Sequence, residues 1–246
     1  MITSTLLQPV LALLTLASTA SAQGAAQPNG NPVDMTSGSG GTYPRANPLA
    51  DGSLIGTYAG VTADNTKELR LVHSTDQGDS WTQIGVAASR PAASSDLDNP
   101  YPLQLPSGRV LLAFRNHDKD PATGAYTLFR IDVTYSDDHG ATWSYLSTPA
   151  SMPGGEIGIW EPLLRHANDG SLQIYYSKEL ARDNQDQIMR VSGDGGETWG
   201  PEVTIAGKGV LSRDGMTGVA NTGGDGLIAV FESLQEGAFR VDAIDS

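Results

Sequence analysis

The 246-residue chain carries a formal net charge of −13, no cysteine and four histidines. The missing cysteines exclude disulfides, thiolate metal sites and a cysteine nucleophile. The acidic balance argues against nucleic acid and anionic membranes as partners. It suits a neutral substrate such as an uncharged polysaccharide.

Residues 1–22 read as a secretory signal, with an apolar run from Leu6 to Leu16 and a small-x-small end at Ala20-Ser21-Ala22. The run is too short to cross a membrane. Residues 23–42 are expected to be a flexible N-terminal segment, and a secreted, extracellular protein follows.

Beyond residue 42 the chain repeats itself. The octapeptides STDQGDSW (74–81), SDDHGATW (136–143) and SGDGGETW (192–199) share a Ser-x-Asp-x-Gly-x-Ser/Thr-Trp form, with starts 62 and 56 residues apart. A second element keeps the same beat: DGSLIGTYAG (51–60), SGRVLLAFRN (107–116), DGSLQIYYSK (169–178) and DGLIAVFES (225–233). Each is a glycine turn followed by β-branched and aromatic residues, which predicts a strand. Aligned on the aromatic residue, Tyr58, Phe114, Tyr176 and Phe231 form one column. Half-alternating strands precede the octapeptides at 67–74, 129–136 and 186–192. An X-Pro-Leu start recurs at Asn47-Pro48-Leu49, Tyr101-Pro102-Leu103 and Glu161-Pro162-Leu163, where proline costs no interior ladder bond.

Each repeat therefore predicts four antiparallel strands, and the series predicts an all-β propeller. A β-sandwich would not repeat one turn sequence three times. Blades are expected at about 43–90, 97–150, 157–207 and, incomplete, 210–246.

The octapeptide reads as structure. Its Asp and Ser/Thr oxygens can accept backbone N–H groups within the turn, its glycine permits positive φ, and its tryptophan can bury a ring between blades. An active site would need one copy only. The octapeptide is similar to the Asp-box, or bacterial neuraminidase repeat, of sialidase-like propellers. That resemblance implies the fold and leaves the substrate open, because the box occurs in hydrolases and in non-catalytic binding proteins alike.

Two glutamates interrupt apolar strand sequence. Glu161 lies in GIWEP, where the other X-Pro-Leu copies have Asn47 and Tyr101. Glu232 lies in AVFES, aligned with Ala59, Arg115 and Ser177. Paired carboxylates are what glycoside hydrolysis needs, one as acid and the other as nucleophile or base. Trp160 beside Glu161 could desolvate it, or stack on a sugar face.

The segments YPRANPLADGSL (43–54), NPYPLQLPSGRVLLAFRNHD (99–118), GIWEPLLR (158–165), LQIYYSKE (172–179), RDGMTGVA (213–220) and LIAVFES (227–233) resemble glycoside hydrolase family 93. The resemblance covers nearly the whole chain after the signal. It implies a secreted, six-bladed propeller acting as an exo-α-1,5-L-arabinanase that releases arabinobiose with retention. By motif, Glu161 resembles the family's acid/base and Glu232 its nucleophile. Arg45, Asp98, Arg115, Tyr176, Lys178, Arg213 and Asp214 are candidates for sugar hydrogen bonding, and each has a structural reading as well. Arg45 stands where sialidases place an arginine for the substrate carboxylate.

No cofactor is expected. The histidines lack paired spacing for zinc, and the acidic loops at 116–120 and 183–186 lack the calcium-loop pattern. FRVDAIDS (239–246) aligns with FRIDVTYS (129–136), so Ser246 stands where a fourth octapeptide would begin. Against a six-bladed ring, about three and a half blades are expected, with activity in question for a shortened chain and a monomer for the full-length ring. A non-catalytic carbohydrate- or protein-binding propeller and a sialidase-type exoglycosidase remain as alternatives.

Overall fold

A computed structural model describes Gly30, residues 32–224 and residues 226–245. The predicted signal falls outside the described residues. The body from Val33 onward consists of fifteen strands, with no helix among the described residues.

The first sheet runs β1 (Thr42–Pro48), β2 (Leu54–Val61), β3 (Thr66–Ser74), β4 (Thr82–Pro91), in that spatial order. The second repeats it with β5 (Ser95–Gln104), β6 (Val110–Lys119), β7 (Tyr126–Ser136) and β8 (Ser144–Pro153). β9 (Ile159–His166), β10 (Leu172–Ala181), β11 (Asn184–Ser192) and β12 (Val203–Ala206) form a third such unit. β13 (Arg213–Gly223), β14 (Gly226–Gln235) and β15 (Ala238–Asp245) form a fourth set, joined to the third by one parallel bridge from Gln185 to Arg213. Within each set the strands are antiparallel. The first strands β1, β5, β9 and β13 pack against one another in series.

The core lies between the sheets. Ile55, Leu69, Leu71, Leu97, Leu112 and Phe114 fill the gap between the first and second. Leu111, Phe129, Ile131, Leu164, Ile174 and Tyr176 fill the gap between the second and third. Consecutive residues of β6 point to opposite faces, and both faces are covered, so Val110 to Phe114 is one unbroken apolar run. Each large side chain so buried contributes about 1.5–3 kcal/mol relative to exposure.

The octapeptides make identical turns. The hydroxyl of Ser74, Ser136 or Ser192 donates to Asp76, Asp138 or Asp194 at 2.7 Å and accepts the N–H of Gly78, Gly140 or Gly196 at 2.8 Å. The same aspartate accepts both the N–H and the hydroxyl of Ser80, Thr142 or Thr198. The three glycines have φ of 97°, 93° and 98°, a region closed to most side chains. Trp143 and Trp199 pack on the two core clusters, and Trp199 Nε1 reaches across to the hydroxyl of Ser147 at 3.1 Å. The turn thus ties one sheet to its neighbour as well as closing its own hairpin.

These turns predict how acid attacks the fold. Ser/Thr hydroxyls lead the donors that hold Asp76, Asp138 and Asp194 down at about 2. A carboxyl depressed on folding contributes stability that is present above its unfolded value and lost as pH falls through its folded one. Thermal midpoints should therefore drop as pH goes from about 4 to 2, and D76N, D138N or D194N should flatten that slope. His117 acts in a separate, higher window. Burial pushes it down to about 4, so stability should also fall as pH descends from roughly 6.5 to 4. Midpoints recorded by circular dichroism across pH 2–7 check both.

The N-terminal segment differs from expectation at its end. Residues 34–41 form an Asp34-capped turn, in which Asp34 accepts the N–H groups of Thr36 and Gly38 at 2.7 Å. The hydroxyl of Ser39 accepts from Arg70 at 3.2 Å, which docks this turn on the first sheet.

Candidate functional site

Each first strand carries an irregularity at the same place. The β-register slips between Thr42 and Arg45, between Asp98 and Tyr101, and between Gly215 and Gly218; on β9 the slip spans Glu161 and Pro162. The first residue of each bulge is left-handed without being glycine: Tyr43 (φ 51°), Asn99 (50°), Glu161 (60°) and Met216 (53°). Such backbone costs on the order of 1–3 kcal/mol and persists only where its surroundings enforce it. Bulges re-aim a side chain out of the pleat. Glu161 owes its position to one.

This corrects the sequence alignment. The structural counterparts of Glu161 are Tyr43, Asn99 and Met216, and Asn47 and Tyr101 are not. The slip moves the matching proline from Pro102 to Pro100. The alignment of Glu232 with Ala59, Arg115 and Ser177 agrees with the register, since these residues pair with Gly215, Thr42, Asp98 and Trp160 of the bulged strands.

Glu161 and Glu232 face one cavity of about 250 Å³. Trp160, Arg213 and Gly215 line it too, together with Glu179, Gln185 and Phe239. Glu161 is half-buried. Its Oε2 accepts the N–H of Met216 at 2.6 Å and the hydroxyl of Ser177 at 2.9 Å. Ser177 in turn accepts from Gln187 Nε2 at 2.9 Å, so its single proton is left for Glu161. Thr217 donates to Gln187 Oε1, which fixes the orientation of that amide. With two donors on Oε2, any proton carried by Glu161 has to sit on Oε1.

Glu232 is exposed, on the face of β14 shared with its cross-strand partner Val241. Glu179 is a third carboxylate at the cavity. It is 7 % exposed, accepts the N–H of Gly158 at 2.7 Å, and pairs with Arg213 at 2.7 Å. Among the described residues no three His, Asp or Glu side chains gather as metal ligands.

Gly215 sets the spacing of the floor. A Cβ there would come within 3.0 Å of Gln185 Nε2 and 3.2 Å of Glu161 Oε2. Gly215→Ala should leave the fold intact and displace the Glu161 carboxylate by a few tenths of an ångström. For the glycosidase activity proposed below, where a displacement of about 1 Å can cost 10²-fold, roughly a tenfold fall in kcat is expected, measured beside an unchanged circular-dichroism spectrum.

The remaining candidates divide. Arg45 lines a second, smaller cavity that also meets Glu161, and its guanidinium donates to Pro44 O at 3.0 Å. Asp98 and Arg115 stand behind the wall, inside an ionic cluster: Arg115 bridges Asp96 and Asp98, and Lys67 does the same from the other side. Burial pushes Asp96 up, and Arg115 and Lys67 outweigh it to hold the carboxyl at about 2. Trp160 is braced edge-on by His117 and Phe129 at 5.2 and 5.7 Å between centroids. Tyr176 and Lys178 line neither cavity. Both donate to Glu202, at 2.7 and 2.6 Å, on the face of β10 opposite Ser177 and Glu179. Asp214 is 3 % exposed, with its carboxyl bound by the Ser233 hydroxyl at 2.7 Å and its carbonyl by Gln185. For Asp98, Arg115, Tyr176, Lys178 and Asp214 the structural reading therefore accounts for the contacts.

Sequence reasoning missed Asn99, Ser177, Glu179 and Gln187. Asn99-Pro100 could have been found by matching it to Glu161-Pro162. Ser177 and Glu179 could have been found by taking alternate residues on the other face of β10.

Four-stranded antiparallel sheets, each docked on the next through a Ser–Asp turn and each contributing a bulged inner strand to a shared cavity, define part of a sialidase-like β-propeller. The chain belongs to the BNR repeat-like domain family, whose model matches residues 52–212. Among solved structures it is similar to a Penicillium chrysogenum α-L-arabinanase complexed with arabinobiose, at 24 % identity and a TM-score of 0.68 over 83 % of this chain and 62 % of that one. It is also similar to a Fusarium graminearum α-L-arabinofuranosidase in complex with an iminosugar inhibitor, at 23 % identity and a TM-score of 0.66, with the same coverage of both chains. An anhydrosialidase of Macrobdella decora is 28 % identical over 164 residues, 63 % of this chain and 19 % of that protein. The chain thus spans about three fifths of the length of the arabinan-related structures, and a fifth of the anhydrosialidase.

Proposed function

We propose that this chain carries the catalytic face of a secreted glycoside hydrolase, exo-acting on α-1,5-linked L-arabinan and releasing arabinobiose with retention. The observation that carries the reading is the pair Glu161 and Glu232 on one sugar-sized cavity, with Trp160 in its wall. In the first step Glu232 attacks the anomeric carbon while Glu161 gives the Oε1 proton to the departing glycosidic oxygen, leaving a glycosyl ester on Glu232. In the second, Glu161 takes a proton from water, which attacks the same carbon and frees Glu232. The arabinobiose seen in the Penicillium relative supports a neutral oligosaccharide as ligand. So does the net charge of −13, which disfavours an anionic sialoside.

One observation favours a second assignment of roles. An oxygen fed by a backbone N–H and a hydroxyl, as Glu161 Oε2 is, suits a carboxylate that works ionised. In that case Glu161 is the nucleophile and Glu232 the acid/base.

Incubation with linear α-1,5-arabinan and, in parallel, with sialyllactose tests the function, with products separated by anion-exchange chromatography. Arabinobiose from the first and nothing from the second is expected. Release of sialic acid would move the chain to the sialidases, and binding of arabinan without cleavage would make it a carbohydrate-binding propeller.

A further inference from the structure

The smaller cavity beside Glu161 has a volume of about 20 Å³, the room of one water or one hydroxyl. Arg45, Asn99, Tyr101, Met216 and Thr217 line it with Glu161. Asn99 is 4 % exposed, and neither its Nδ2 nor its Oδ1 meets a hydrogen-bond partner among the described residues. A buried amide with both ends unpaired is costly, since each end has given up its water without gaining a partner. Its backbone adds to the cost, because Asn99 sits at the same left-handed bulge position as Glu161. Asp98 Oδ1, which accepts the N–H of Asn99 at 3.0 Å, holds that main chain in place.

We propose that Asn99 is a specificity-determining residue that binds one hydroxyl group of a neutral sugar lodged beside Glu161. The assignment rests on the glycosidase reading above. A hydroxyl is the smallest group that satisfies both ends of the amide: it accepts from Nδ2 and donates to Oδ1. Glu161 lines both cavities, so a sugar held against its carboxylate in the larger one has the smaller one as the neighbouring space for a single hydroxyl. Arg45 lines the same cavity, with its guanidinium held by Pro44 O at 3.0 Å. A pocket of 20 Å³ admits nothing larger, so it rejects substituents at that position by size as well as by unpaired polar atoms.

The test is the binding of arabinobiose and arabinotriose to the Glu161→Gln chain, which is blocked in turnover, with and without a change at Asn99. Asn99→Gly keeps the left-handed backbone at no steric cost, and Asn99→Asp keeps the shape while removing the donor; circular dichroism verifies each fold. Binding should weaken about ten- to hundredfold in both. A monodeoxy arabinobiose lacking the lodged hydroxyl should bind the parent and the Asn99→Gly chain with equal affinity. If both Asn99 variants bind arabinobiose as tightly as their parent, the assignment is overturned and the glycosidase reading stands. If neither oligosaccharide binds the parent at all, the glycosidase reading falls, and the Asn99 assignment with it.

Discussion

Glu161→Gln should lower the rate of linear arabinan hydrolysis by roughly 10²–10⁴-fold, the range that general acid–base groups supply, with the thermal midpoint hardly moved. The glutamine carbonyl can accept from Met216 N–H and Ser177 as Glu161 Oε2 does, so the packing survives while proton transfer is lost. Glu232→Gln should cost at least as much, and its side chain is exposed on β14, so the sheet should tolerate the change. Azide separates the roles. With an aryl arabinobioside, azide added to the variant lacking the acid/base should give a glycosyl azide of retained configuration. Added to the variant lacking the nucleophile, it should give the inverted azide. If both variants keep the parent rate, the cavity is not where the chemistry occurs.

The second large effect concerns stability. Arg213→Ala leaves Glu179, whose side chain is 9 % exposed, without its cation. Breaking a fully buried pair from one side costs about 3–5 kcal/mol. Arg213 is 30 % exposed, so solvent screening reduces the expected loss to about 2–3 kcal/mol. For a chain of this size that is a fall in Tm of about 5–10 °C. The guanidinium also donates to the carbonyl of Arg182, at the β10–β11 turn, and to Gln185 at 3.2 Å, which ties the third sheet to β13. Glu179→Gln combined with Arg213→Met removes both charges together and should recover much of the loss. A double variant as unstable as Arg213→Ala alone would show that shape, and not the unpaired charge, is what matters there.

The all-β architecture was legible because the octapeptide encodes its own turn. Ser74, Asp76, Gly78 and Ser80 satisfy one another within seven residues, and the pattern reads the same wherever it is placed. Glu232 was legible for a related reason: β14 is regular between Leu227 and Gln235, so counting from Phe231 gives the right column. Glu161 was found, but its neighbours were misplaced, because a bulge adds residues to one strand and not to its partner. Asn99-Pro100-Tyr101-Pro102 offers two prolines to match, and only the register shows which is equivalent. On β10 the error has a period of two. Tyr176 and Lys178 look like a polar-aromatic face, yet both bond Glu202, while on the other face Ser177 bonds Glu161 and Glu179 lines the cavity. Which face of a strand meets a channel depends on what packs behind it, and no local pattern in β10 states that.

The most direct measurement of the central claim, two glutamates working by double displacement on arabinan, is proton NMR of linear α-1,5-arabinan hydrolysis in real time. The arabinobiose first released should carry the anomeric configuration of the linkage cleaved, with the other anomer appearing only as mutarotation proceeds. Initial release of the inverted anomer, or an arabinan spectrum unchanged by the protein, would contradict it.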